Sequence, residues 1–270
     1  ELSVITNISY DHQQLLGNTL QEIAGEKAGI IKQETPVVIG ETQPETQLVF
    51  LKKADELNAP IIFADQEWEI KNESEIGNKL VIQLIHKNDP ALISYESDIT
   101  GPYQKKNLLT TLTAIQLLKE QGWHISNESL FHALSSVKKL TGLRGRWEKL
   151  GENPLIIADV AHNMGGITEV MQRLKTLPYK QLHLVTGFVK DKPLDMVLPL
   201  FPKDAKYYFC HAPIPRALPA EELAVKAAEY GLRGQSYETI QKAFRAAKLN
   251  AGVEDMILVC GSVFVVAEVL

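Results

Sequence analysis

Residues 154–166, PLIIADVAHNMGG, decide how this chain is read. Four apolar residues, Leu155 to Ala158, follow a proline and run directly into Asp159, after which helix-forming residues take over. A short unbroken apolar run bounded by turn residues reads as a strand buried on both faces, the kind found in parallel sheets. The same figure recurs downstream as QLHLVTG (181–187), AKYYFC (205–210) and MILVCG (256–261). Helical stretches lie between these runs: from about Met164, at Leu194 to Leu200, at Ala220 to Tyr230, from about Glu238, and after Gly261. Four short apolar strands alternating with helices predict a Rossmann-like α/β domain over 152–270.

Immediately upstream, LTGLRGRWEKLG (140–151) holds three glycines and no sustained periodicity, so 142–151 is expected to be a hinge between domains. Residues 1–141 carry a second alternation. Strands are expected at Leu2 to Ser9, Pro36 to Gly40 and Pro60 to Ala64, with helices at Thr19 to Lys32 and about Pro44 to Asn58. This describes another mostly parallel sheet flanked by helices. Between Glu67 and Tyr95 short apolar runs are broken by Asn, Gly, Lys and Asp, which predicts an antiparallel excursion at that sheet's edge. Helices at Tyr103 to Gln121 and Asn127 to Lys138 follow.

The composition narrows the partners. The 270 residues are 45% hydrophobic and 23% charged, with a formal net charge of −5. An acidic balance argues against nucleic acid or an anionic membrane as the main partner and favours small molecules. Cys210 and Cys260, the only cysteines, both sit in apolar strand-like runs, so a reducing compartment, the cytoplasm, is expected. No apolar run reaches the length of a membrane span. The chain opens in the middle of a β-like run, LSVITNISY, and preceding residues are therefore expected in the parent protein.

Four positions draw attention on their chemistry. In TLQEIAGEKAGIIK (19–32), Thr19 and Glu22 fit a capping box, and Leu20, Ile23, Ala24 and Ile31 mark the apolar stripe. Lys27 falls on that stripe, so its amine either snorkels to the helix end or sits in a polar cavity with a partner. His12 follows Asp11 just beyond the first strand, where α/β sheets place their ligand crevice. Asn107 lies in the first turns of a helix opened by Gly101 and Pro102. Asp159 closes an apolar strand, where a carboxylate either accepts ribose hydroxyls or, together with Asn163, merely caps the next helix.

The run ITNISYDHQQLLGNTLQEIAGEKAGIIK (5–32) resembles the central-domain signature of the folylpolyglutamate synthase/dihydrofolate synthase family, within the Mur ligase superfamily: Asp-His, Leu-Gly-x-Thr, then Ile-Ala-x-x-Lys-Ala-Gly-Ile. Gly-x-x-Gln-x-x-Asn recurs at 101–107, and Gly-Arg followed by a strand ending Asp-x-Ala-His-Asn recurs at 145–163, with Val160 where glycine is common. PRALPAEEL (215–223) is similar to the folate branch rather than the Mur branch. The resemblance implies that 1–141 is the remainder of a central ATP-binding domain and that 152–270 is the ligase domain. It further implies that His12 binds magnesium and that Lys27 is carbamylated and shares that ion, a carbamate being the oxygen donor a hard cation prefers. Asn107 would contact the nucleotide, Arg146 the ATP phosphates and Asp159 the ribose, with His162 lining the cleft near the reacting groups.

The implied reaction is ATP-dependent: a folate or dihydropteroate carboxylate is phosphorylated and then attacked by the amine of L-glutamate. The family suggests a monomer. No Gly-x-x-x-x-Gly-Lys-Ser/Thr loop, which such a ligase needs for its phosphates, occurs in the 270 residues. The chain is accordingly expected to be part of a longer enzyme and inactive by itself. A Mur-type cell-wall peptide ligase and a non-catalytic nucleotide-binding or scaffold protein are the alternatives.

Overall fold

In the computed structural model, which describes residues 1 to 270, the chain divides into two units, Glu1–Gly142 and Leu143–Leu270. The first contains β1 (Ser3–Ile5), α1 (Gln13–Leu16), α2 (Leu20–Ala28), β2 (Val37–Ile39), α3 (Gln47–Glu56), β3 (Ile61–Phe63), β4 (Trp68–Ile76), β5 (Lys79–His86), β6 (Asp89–Ser97), α4 (Gln104–Glu120), α5 (Asn127–Ser135) and α6 (Val137–Thr141). Strands β1, β2 and β3 pair in parallel, in that order. Every residue of β2 is buried, and its alternation shows why: Val37 and Ile39 pack with Ile23, Ala24 and Ala28 of α2 and Phe50 of α3, whereas Val38 packs with Leu108, Leu109 and Leu112 of α4. Helices thus cover both faces, as parallel strands require.

Two expectations for this unit are corrected. Strand β1 ends at Ile5 rather than Ser9, because the Gln43 side chain takes over the role of a neighbouring strand: its Oε1 accepts from the Ile8 N–H and its Nε2 donates to the Ile8 carbonyl, both at 2.8 Å. The antiparallel strands β4, β5 and β6 form a three-stranded sheet of their own and do not extend the edge of the parallel one. Their buried residues Ile82, Leu84 and Tyr95 close over α4, and Trp68 Nε1 donates to Thr113 on that helix at 3.1 Å.

The second unit contains β7 (Glu148–Glu152), β8 (Leu155–Ala158), α7 (Met164–Leu174), β9 (Leu182–Thr186), α8 (Leu194–Val197), β10 (Lys206–Phe209), α9 (Ala220–Glu229), β11 (Gly234–Ser236), α10 (Ile240–Asn250), β12 (Met256–Cys260) and α11 (Val263–Ala267). Its six strands lie in the order β11-β10-β9-β12-β8-β7, all parallel except β7. From β8 the chain steps to β9, β10 and β11 and then returns to β12. Right-handed crossovers put the outward helices on one face and the returning helix on the other. That is observed: Ile167, Val170 and Leu223 of α7 and α9 pack on one side, and Ile240, Ala243 and Ala247 of α10 with Val265 of α11 pack on the other. Within α7 the buried positions Ile167, Val170, Met171 and Leu174 follow helical spacing, each contributing about 1.5–3 kcal/mol of apolar burial. Of the stretch 142–151 expected as a hinge, Glu148 to Gly151 lie in β7, hydrogen-bonded to β8. No helix in either unit is long and apolar enough to cross a membrane.

Candidate active site

In the first unit, His12 stands in the left-handed backbone region (φ 52°), and its carbonyl accepts the N–H groups of Leu15 and Leu16 that begin α1. The ring is half exposed, with Nε2 3.9 Å from Asp11 Oδ1. The expected capping box of α2 is present: Thr19 Oγ1 accepts from Glu22 N at 3.2 Å, and the Glu22 carboxylate accepts from Thr19 N. The backbone N–H of Asn18, 2.7 Å from Glu22 Oε2, and then that of Thr19 hold the Glu22 carboxyl below the usual carboxylate range. Lys27 is exposed, the first of the two placements its position on the stripe left open. Position 27 lies in the last turn of α2, where a four-carbon stem carries its charge past the helix end into water, and its ammonium has no ion pair. Asn107 is half-buried in the first turns of α4, and its Nδ2 donates to Gln104 Oε1 at 3.1 Å. No cluster of three or more His, Cys, Asp or Glu side chains is placed to hold a metal ion. The donors present therefore do not complete a divalent-cation site.

In the second unit, Arg146, Asp159 and His162 are brought together by the β7–β8 hairpin and the loop after β8. The Arg146 guanidinium is partly exposed and has neither an ion pair nor a hydrogen bond. Asp159 is fully buried. Its Oδ2 accepts from Trp147 N and its Oδ1 from Ala161 N, each at 2.8 Å, so both oxygens are engaged by backbone. His162 Nδ1 lies 2.9 Å from the Val160 carbonyl. A carbonyl only accepts, so Nδ1 carries a proton. Asn163 caps α7, its Oδ1 accepting from Gly166 N at 2.9 Å. This occupies one of the amides at the start of that helix.

The carboxyl ends of β9 and β12 close this region. Gly261 adopts φ +107°, and a Cβ there would stand 2.5 Å from Thr186 Oγ1; one on Gly187 would stand 2.3 Å from the Cys210 carbonyl oxygen. Only glycine permits such approach. Thr186 Oγ1 is buried without a hydrogen-bond partner in the chain, an uncompensated polar atom beside the strand ends. Cys260, completely buried, has its thiol held protonated by burial first and by the nearby Asp159 charge second, so it is no nucleophile. Trp147 and Glu148, to which the sequence reading assigned no role, stand inside this group. The only signal for them was their position directly after Gly145-Arg146.

Residues 145–263 match the family described as Mur ligase, glutamate ligase domain. Over 99% of its length the chain is 31% identical to the dihydrofolate synthase/folylpolyglutamate synthase of Bacillus subtilis, covering 61% of that protein. Among solved structures it is similar to Escherichia coli FolC in complex with DHPP and ADP (28% identity, TM-score 0.79, 99% of this chain and 60% of that one). It is also similar to the bifunctional folylpolyglutamate synthase/dihydrofolate synthase of Yersinia pestis complexed with AMPPNP and Mn (26% identity, TM-score 0.78, 99% and 60%). The chain thus spans about three fifths of the length of these relatives.

Proposed function

Because the chain belongs to the folylpolyglutamate synthase/dihydrofolate synthase family of Mur ligases, we propose that its protein is an ATP-dependent ligase joining L-glutamate to a folate or dihydropteroate carboxylate. The observation that carries this reading is Arg146, an uncompensated guanidinium at the start of the segment that matches the glutamate ligase domain. A planar cation held without a carboxylate partner suits a phosphate or phosphoryl oxygen. In the reaction the substrate carboxylate attacks the γ-phosphorus of ATP, ADP leaves, and the amine of glutamate attacks the acyl phosphate through a tetrahedral intermediate that expels phosphate. Arg146 offsets charge on the transferring group. His162, its Nδ1 2.9 Å from the Val160 carbonyl, lines the cleft near the acyl phosphate or the incoming amine. Asn107 contacts the nucleotide.

Magnesium, held by His12 and a carbamylated Lys27, belongs to the same proposal. The donor set in this chain is incomplete, and no step is drawn through the ion. The acidic balance and the two buried free cysteines support a protein of the cytoplasm that works on small molecules without nucleic acid or membrane, and the family resemblance suggests a monomer. The test is glutamate-dependent ADP release by the protein expressed from its complete gene, with dihydropteroate and tetrahydrofolate offered separately. Release with either one, and a large loss of turnover in Lys27→Ala, is expected. A requirement for meso-diaminopimelate or a D-amino acid would make it a Mur-type peptide ligase, and no release under any condition would make it a non-catalytic protein.

A further inference from the structure

We propose that Gln43 is a positioning residue of the candidate site: its side-chain amide fixes where the segment carrying His12 leaves the sheet of the first unit. The inference rests on the reading above, in which His12 belongs to the reacting site.

The pairing of β1 with β2 ends where Gly40 N donates to the Ile5 carbonyl at 2.8 Å. Just past that rung the two chains are at their closest: a Cβ on Gly40 would stand 2.3 Å from the Thr6 carbonyl oxygen and 2.6 Å from Thr110 Oγ1. The second chain then turns off toward α3, and the main chain of Ile8 is left without a strand beside it. Gln43 supplies what is missing. Its Oε1 accepts from the Ile8 N–H and its Nε2 donates to the Ile8 carbonyl, both at 2.8 Å. Because an N–H only donates and a carbonyl only accepts, the amide fits in one orientation alone. The Ile8 side chain is buried in the core with Ile23 and Phe50, so this residue is held by backbone and side chain together.

The support is itself fixed. The Gln43 carbonyl accepts from Thr46 N at 3.0 Å and Gln47 N at 2.9 Å, which ties it to the start of α3, whose Phe50 and Ala54 are buried in the same core. Thr42 is held by Asp65 through its N–H at 2.7 Å and its hydroxyl at 2.8 Å, and Glu41 pairs with Lys106 of α4 at 2.9 Å. Residues 41 to 43 are thus tethered to three separate elements. Four residues on from Ile8, at most about 14 Å of extended chain, comes His12. Its carbonyl opens α1, so a shift at Ile8 is carried to the imidazole.

Gln43→Met keeps the length of the side chain and removes both bonds. In the protein expressed from its complete gene, this variant is expected to lower kcat for glutamate-dependent ADP release by a factor of about 10 to 100, the scale of loss from an ångström-sized misplacement. Gln43→Glu is the second variant. Ionised, it still accepts from the Ile8 N–H but sets its other oxygen against the Ile8 carbonyl; protonated, it donates to that carbonyl and restores both bonds. Since this contact favours the neutral form, the folded state raises the pKa of the new carboxyl, and the restored bonds are present at low pH and lost as pH rises through the raised value. Turnover of Gln43→Glu relative to wild type should therefore climb as the pH is lowered from 8 to 5.5, whereas that of Gln43→Met stays flat. Independently of activity, in histidine-labelled protein the His12 ring resonance should move in Gln43→Met and return toward wild type in Gln43→Glu at the acid end of the range. Those of His132 on α5 and His183 on β9 should match wild type at each pH. Unchanged turnover in Gln43→Met, a Gln43→Glu to wild-type ratio indifferent to pH, or a His12 resonance that moves no more than those of His132 and His183 would each overturn the proposal. A wild type without glutamate-dependent ADP release would sink the ligase reading, whereas the resonance tests the positioning in either case.

Discussion

Replacing Gly261 with alanine probes how tightly the strand ends of the second unit are drawn together. At φ +107° an L-residue carries a backbone penalty of about 1–3 kcal/mol. The new methyl would stand 2.5 Å from Thr186 Oγ1, 2.9 Å from the Gly187 carbonyl oxygen and 3.1 Å from Phe188 Cζ. Two of those atoms belong to a strand end and a fully buried ring, so they yield little, and overpacking adds about 1–3 kcal/mol. The expected loss is therefore about 2–6 kcal/mol. Gly231→Ala is the matched control in the same unit: φ is +79°, but the nearest atoms belong to the flexible Lys203 side chain at 3.5 to 4.0 Å. It should cost only the left-handed penalty, about 1–2 kcal/mol. Urea denaturation followed by Trp147 emission, in the background without the other two tryptophans, reads both. With a slope of about 1–3 kcal/mol per molar urea, the two midpoints should differ by about 1 M. Because the Gly261 N–H also donates to the Ala161 carbonyl at 2.9 Å, the displacement should reach the loop after Asp159 and lower turnover as well. Equal midpoints for the two variants would refute the steric reasoning.

His183 provides a pH test. It is wholly buried on β9, 2.8 Å from Tyr208 OH and 3.3 Å from Asp255 Oδ2, and burial lowers its pKa despite the opposing effect of its hydrogen bond to Asp255. The folded state therefore favours the neutral ring: this stability is fully present above the unfolded value of 6.5 and is lost as pH falls below it toward the folded one, by at most about 1.4 kcal/mol per pH unit. Melting at pH 7.5, 6.5 and 5.5 should show this decline, and His183→Gln should flatten it. A second expectation concerns the thiols: burial pushes Cys210 up to about 12 and Cys260 well above its ordinary value, so neither should react with iodoacetamide until urea unfolds the second unit. Rapid alkylation of the native protein would contradict that burial.

The capping box at Thr19 and Glu22 and the amphipathic face of α7 were legible because both are local: a helix start or stripe depends on residues within one or two turns. Lys27 was not. Its position on the stripe is correct by spacing, but whether a stripe is covered at its last turn depends on what packs there, and in this chain the amine faces water. Strands β7 (EKLGE) and β11 (GQS) also escaped notice. They are polar edge strands held by backbone hydrogen bonds to β8 and β10, and edge pairing leaves no apolar signature.

The apolar runs ending at Asp159, Thr186 and Cys260, with the helices between them, were enough to specify a parallel sheet, because burial on both faces writes itself into consecutive residues. What Asp159 does was decided only in three dimensions. From sequence a carboxylate after a strand is equally a ligand or a cap; in the folded chain a hairpin partner twelve residues earlier supplies the Trp147 N–H that engages it. Hydrogen-bond partners are set by which backbone groups the fold leaves unpaired, and that follows from the arrangement of strands, not from the residue that satisfies them.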